Sequence, residues 1–178
     1  MSLINEKECL IVAIDFQEKL VNMLEKNTCA IKIDKLITAG ELLNIPTIIT
    51  EQYPQGLGST VAHINTTHCN VIEKTAFSAM QQEEFKSAIK SSGKKQIIIA
   101  GIETHICVHQ TVAELLDEGY EVFVVKDACA SRNKDEHKAG LDAMKQNGAK
   151  ITCLEIVLFE LLRSSKHPMF KPIQALIK

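Results

Sequence analysis

The sequence lacks the features that would tie it to a membrane, to nucleic acid or to a disulfide-stapled scaffold. No apolar run approaches the ~20 residues that a bilayer crossing needs. Glu6, Lys7 and Glu8 precede the first apolar stretch, unlike the order of a secretory leader. A formal net charge of -2 with mixed signs offers no basic stripe for a phosphate backbone, so nucleic acid is not an expected partner. The 6 cysteines include no C-x-x-C pair, and a chain of 178 residues needs no disulfide staples, so they read as free thiols. There is also no internal repeat, low-complexity segment or linker.

What remains is an ordinary globular composition, 46% apolar and 24% charged. The length fits a single domain over residues 1–178, expected to be soluble and cytoplasmic, with the mitochondrion as the alternative compartment. Short β-branched runs recur at Leu10–Ile14, Thr47–Thr50, Ile97–Ala100 and Val122–Val125, with weaker ones at Val71–Ile72 and Ile151–Leu154. They are continuously apolar instead of alternating, as strands of a parallel sheet covered on both faces must be. Helical spacing fills the gaps: Ile33, Leu36, Ile37 and Leu42–Leu43, then Val108, Val112, Leu115 and Leu116, then Ala139, Leu141, Ala143 and Met144. Gly119 and Gly148 stand where two helices should stop. The β-α alternation predicts an α/β fold, a three-layer α/β/α sandwich. Residues from Glu51 to about Asn70, with Pro54, Gly56 and Gly58, read as a functional loop, and Ile173–Ile177 reads as an apolar tail that docks on the body or on another subunit.

In an open parallel sheet, ligands sit beyond the carboxyl ends of the strands. This selects Asp15, Glu51–Tyr53, Glu73–Lys74, Glu103–Cys107 and Lys126–Asp127. Cys107 falls where a strand turns into a helix, and a helix N-terminus favours thiolate; the plain alternative is a buried packing cysteine. Asp15 could act as a general acid and base, or, with Glu18 three residues on, as half of a capping box. Lys74 is either one more solvated lysine or an ammonium that stabilises a Cys107 thiolate and keeps Asp15 ionised. His105 and His109 have the i, i+4 spacing of a metal pair but lack the intervening acid and a third ligand, so no metal is expected there. His63 and His68 read as solvated loop histidines. Arg132 suits either a substrate carboxylate or a salt bridge, and Tyr53 and Phe77 either a pocket wall or the core.

Five motifs in this order resemble the isochorismatase-like cysteine hydrolases, most closely the isochorismatase domain-containing proteins. They are Ile14-Asp15-Phe16-Gln17, Thr50-Glu51-Gln52-Tyr53-Pro54-Gln55-Gly56-Leu57-Gly58, Lys74-Thr75-Ala76-Phe77-Ser78, Gly101-Ile102-Glu103-Thr104-His105-Ile106-Cys107, and Asp127-Ala128-Cys129-Ala130-Ser131-Arg132. The resemblance implies a six-stranded parallel sheet and a catalytic triad at Asp15, Lys74 and Cys107. It also implies a cis peptide joining Ile102 to Glu103, an oxyanion hole of backbone N–H groups near Glu103 and at Cys107, and substrate contacts at Gln17, Tyr53 and Phe77. The related nicotinamidases bind metal through Asp-x-His after the second strand; Glu51-Gln52-Tyr53 stands there instead, so no metal or other cofactor is expected. The implied activity is cleavage of an amide-type C–N bond in a small-molecule substrate through a thioester, by a homo-oligomer. A catalytically idle scaffold and a thiol redox protein, with Cys129 as the resolving cysteine, are the competing readings.

Overall fold

Each apolar run becomes a strand, because β-branched side chains suit a pleated surface buried on both faces. In the computed structural model, which describes residues 2–25 and 28–178, six parallel strands form one sheet in the order β3-β2-β1-β4-β5-β6. The strands are β1 (Cys9–Ile14), β2 (Thr47–Gln52), β3 (Asn70–Lys74), β4 (Gln96–Ile102), β5 (Glu121–Ala130) and β6 (Lys150–Thr152). The helices are α1 (Glu18–Asn22), α2 (Thr28–Leu42), α3 (Pro54–Leu57), α4 (Glu83–Ser92), α5 (His109–Asp117), α6 (Lys134–Gln146), α7 (Leu154–Leu162) and α8 (Phe170–Leu176). α2 packs with α7 and α8 on one face of the sheet, and α5 packs with α6 on the other, giving the three layers.

The strands run further toward their carboxyl ends than their apolar runs suggest. β2 continues through Glu51 and Gln52, and β3 through Glu73 and Lys74. There the sheet leaves the core and becomes a site, so polar residues replace apolar ones. β5 continues to Ala130, with a register irregularity opposite Ile99 and Gly101, which places Lys126 and Asp127 inside the strand and not at its end. Asp127 Oδ1 instead accepts the Leu154 N–H at 2.8 Å, capping α7 and ending β6 at Thr152, ahead of the expected Leu154.

Gly119 and Gly148 take left-handed conformations after α5 and α6, as their positions require. The tail docks on the body: Ile173 of α8 is fully buried, α8 lies against α2, and Phe170 meets Phe159 edge to face. In α6 the inward side is Gly140 and Met144, whereas Ala139 faces out. A side chain at Gly140 would come within 2.9 Å of His105 Cα, so only glycine lets the helix approach that backbone closely.

The strand order reverses between β1 and β4, where Ile14 pairs with Gly101. Asp15 and Ile102, one residue further on, therefore emerge side by side at the switch point. A methyl group on Gly101 would lie 2.5 Å from Ile14 Cβ and 2.8 Å from Val108 Cγ2. Gly101→Ala is thus expected to destabilise the fold by about 1–3 kcal/mol through overpacking, read as a lower urea midpoint at unchanged m-value.

Candidate active site

Three strand ends converge on one buried ion pair. Asp15, in a left-handed conformation after β1, receives Lys74 Nζ from the end of β3 at 2.8 Å, and both side chains are 0% exposed. Thr50 Oγ1 donates to the other carboxylate oxygen at 2.7 Å. Lys74 Nζ also donates to Gln52 Oε1 at 2.6 Å and to the carbonyls of Ala76 and Phe77 at 3.2 and 3.1 Å. The pair is thus enclosed in hydrogen bonds, the condition under which two charges tolerate burial. The capping-box reading of Asp15 fails, because Gln17 is the residue that leads α1 and the Asp15 carboxylate points into the sheet.

The loop after β3 is fixed by α5. Thr111 Oγ1 donates to the Cys107 carbonyl and accepts the Ala79 N–H, while Glu114 accepts from Ser78 Oγ and Gln81 Nε2. Cys107 lies in a π-helical turn, Thr104–Val108, that runs straight into α5. The peptide bond between Ile102 and Glu103 ahead of that turn is cis. Glu103 and the first two residues of the turn are held from the other side. Glu103 Oε1 accepts from the Arg132 N–H and Nε at 3.0 and 3.1 Å, Thr104 Oγ1 meets His137 Nδ1 at 2.8 Å, and His105 meets Ser131 Oγ at 2.9 Å and Glu136 at 3.4 Å. Arg132 is therefore a salt-bridge partner of this protein's own Glu103, and His105 is engaged by hydroxyl and carboxylate instead of standing free for a metal.

Proton affinities follow from burial and from the pair. Cys107 is 7% exposed, and desolvation pushes its thiol up to about 12; the Asp15 anion and a hydrogen bond to it act in the same direction and outweigh Lys74. The expectation of a resting thiolate is thus reversed, since low dielectric penalises the charged sulfur more than one ammonium already shared with Asp15 can offset. Burial likewise raises the Asp15 carboxyl, opposed by Lys74, Thr50 and Cys107. Burial thus makes both groups hold a proton more tightly than they would in water.

The other expected residues divide. Tyr53 and Phe77 are each 56% exposed, and a cavity of about 160 Å³ beside Lys74 is lined by Tyr53, Gln55, Glu73 and Gln82. Gln17 does not reach it: fully buried, it accepts the Gln52 N–H and donates to the carbonyls of Gln52 and Gly58, tying β2 to the following loop. Both ends of its amide are occupied, which removes it as a free substrate ligand. Thr50, Gln52 and Thr111 were not singled out for these roles by the sequence, although Gln52 lies directly opposite Lys74 in the register. His63 is exposed as expected, whereas His68 is half-buried, 3.5 Å from Glu41. A second cavity, of about 220 Å³, lies between Leu24 and the Cys129–His137 segment, with Arg132 in its wall.

Residues 9–156 match the family model described as Isochorismatase domain. The isochorismatase domain-containing protein 2 of Xenopus laevis is 35% identical over 175 residues, covering 98% of this chain and 85% of the relative. A MAR1 ribonuclease structure from Caenorhabditis elegans superposes with TM-score 0.93 at 36% identity, covering 99% of this chain and 92% of that one. YcaC from Pseudomonas aeruginosa, carrying hexane-2,5-diol and a covalent acrylamide, superposes with TM-score 0.92 at 26% identity, covering 98% and 90%. YcaC of Escherichia coli, described as an octameric hydrolase of unknown specificity, gives TM-score 0.93 at 27% identity, covering 99% and 90%.

Removing one member of the ion pair leaves an unpaired buried charge. Lys74→Met and Asp15→Asn are each expected to lower stability by about 3–5 kcal/mol, and the double variant by clearly less than their sum, measured by urea denaturation.

Proposed function

The chain belongs to the isochorismatase family, and from that premise we propose that it is a cysteine hydrolase that opens an amide-type C–N bond of a small molecule through Cys107, Asp15 and Lys74. The observation that carries this reading is the fully buried Asp15–Lys74 pair beside the Cys107 thiol, at the switch point of the sheet. A purely structural ion pair has no need of a thiol whose proton it can accept.

In the proposed reaction the sulfur attacks the substrate carbonyl carbon while Asp15 takes the thiol proton, so a thiolate never accumulates in the free enzyme. Lys74 keeps Asp15 in its anionic, proton-accepting form. The oxyanion rests against backbone N–H groups of the turn from Ile102–Glu103 to Cys107, a segment held by Arg132, His137 and Ser131. Asp15 then returns its proton to the departing nitrogen as the C–N bond breaks. Water attacks the thioester, Asp15 accepts a water proton, the C–S bond breaks, and that proton restores the thiol. Tyr53 and Phe77 flank the entrance.

The covalent acrylamide on Pseudomonas YcaC supports a fold able to bond to a small amide-bearing electrophile. The octameric state of the Escherichia coli relative supports a homo-oligomer here. The ribonuclease activity in the name of the Caenorhabditis neighbour is not extended to this chain, whose net charge is -2 and whose site ammonium is already enclosed by its own acceptors. We further propose one catalytic domain without a metal, in the cytoplasm.

A panel of small amides, carbamates and ureas tests the reading. Wild-type protein should turn over at least one and show a transient mass increase on the Cys107 peptide, while Cys107→Ala should lose about 10³-fold or more of that turnover with its fold intact. Turnover that survives Cys107→Ala would remove the covalent mechanism.

A further inference from the structure

We propose that this site takes uncharged acyl compounds and turns away carboxylates and phosphates, an inference that rests on the reading of Cys107 as the nucleophile. The argument begins with Lys74. Its ammonium has three N–H groups, and four oxygens already surround it: Asp15 Oδ2, Gln52 Oε1 and the carbonyls of Ala76 and Phe77. Its side chain is 0% exposed. No N–H is left over for a substrate anion, and turning one outward would break the pair that keeps Asp15 a base.

The remaining polar groups near it are similarly closed. Asp15 has one oxygen on Thr50 and the other on Lys74. Gln52 accepts from Lys74 and donates to the Thr75 carbonyl. A substrate carboxylate entering here would therefore lose its water without gaining a cation, which is strongly unfavourable. The cavity beside Lys74, taken as the way in, adds to this. Among the described residues lining the cavity beside Lys74, the remaining side chains are neutral except Glu73, which is exposed at the end of the edge strand β3. Arg132, on the far side of the turn, is bound to Glu103 and lines the other cavity, and Lys19 Nζ is held on the Gly56 carbonyl at 2.6 Å. Asp15 raises the thiol's proton affinity by more than Lys74 lowers it, and Glu103 adds to the rise, so the field at the sulfur offers a second anion no net attraction.

Iodoacetamide and iodoacetate, reagents of equal size that differ in charge, separate the outcomes. Their rate constants at Cys107 are read from the labelled peptide in the intact protein, with N-acetylcysteine as the reference for intrinsic reactivity. The iodoacetamide-to-iodoacetate ratio at Cys107 should exceed that of the free thiol by about tenfold, the scale of one like charge at close range in partly desolvated surroundings. Glu73→Lys should lower that ratio by about threefold, a surface-charge effect, mainly by raising the iodoacetate rate. A ratio equal to or below that of the free thiol overturns the proposal and points to a reachable cation, Lys19 or Arg132. A Glu73→Lys ratio equal to wild type overturns the role given to the entrance. If neither reagent labels Cys107 in the native protein while both label it in urea, the nucleophile reading falls first and the substrate class with it.

Discussion

The Asp15–Lys74 ion pair is the interaction on which the rest of the site depends. Two opposite charges at 2.8 Å with no exposure are stable together only if every remaining lone pair and N–H has a partner. That requirement recruits Thr50 and Gln52 from β2 and the carbonyls of Ala76 and Phe77, so the carboxyl ends of three strands and the loop after β3 are locked around one point. The fold supplies the point: β1 and β4 separate at the reversal of strand order, and Asp15 and the Ile102–Glu103 turn emerge on either side of the opening.

The Cys107 turn is built by a second, independent set of contacts. α6 and the end of β5 grip Glu103, Thr104 and His105 in succession, and Gly140 allows the helix to sit against their backbone. Thr111 then joins that turn to the loop that carries the Lys74 acceptors. Asp15 and Lys74 are thus positioned by the β1–β3 half of the sheet and Cys107 by the β4–β6 half. Their meeting is a property of the whole domain architecture, which brings residues distant in sequence to one point.

Much of this was legible in the sequence, because continuous apolar runs and glycine stops dictate strands and helix ends without tertiary information. Asp15, Lys74 and Cys107 could be chosen together since the parallel sheet puts every strand's carboxyl end on one side. What could not be read was how polar groups divide among partners. The motif residue Gln17 looks like a ligand until its amide is seen to be occupied by backbone, and Asp15 with Glu18 looks like a cap until the carboxylate is seen to point inward. The Cys107 thiol is pushed up and not down, because a sequence reveals a neighbouring ammonium but not the burial around the sulfur or the prior claim of Asp15 on that ammonium.

The central claim, that Asp15 helps burial hold the proton on Cys107 and is also the group that receives it, has a direct measurement. The thiolate absorbance of Cys107 near 240 nm, taken as the difference from Cys107→Ser, gives its titration in the wild-type and Asp15→Asn backgrounds. The account predicts that Asp15→Asn lets Cys107 ionise at lower pH than in the wild type, since a neighbouring anion is lost while Lys74 remains, and yet yields a protein that no longer turns over substrate. A Cys107 titration that stays put or moves upward in Asp15→Asn would contradict it.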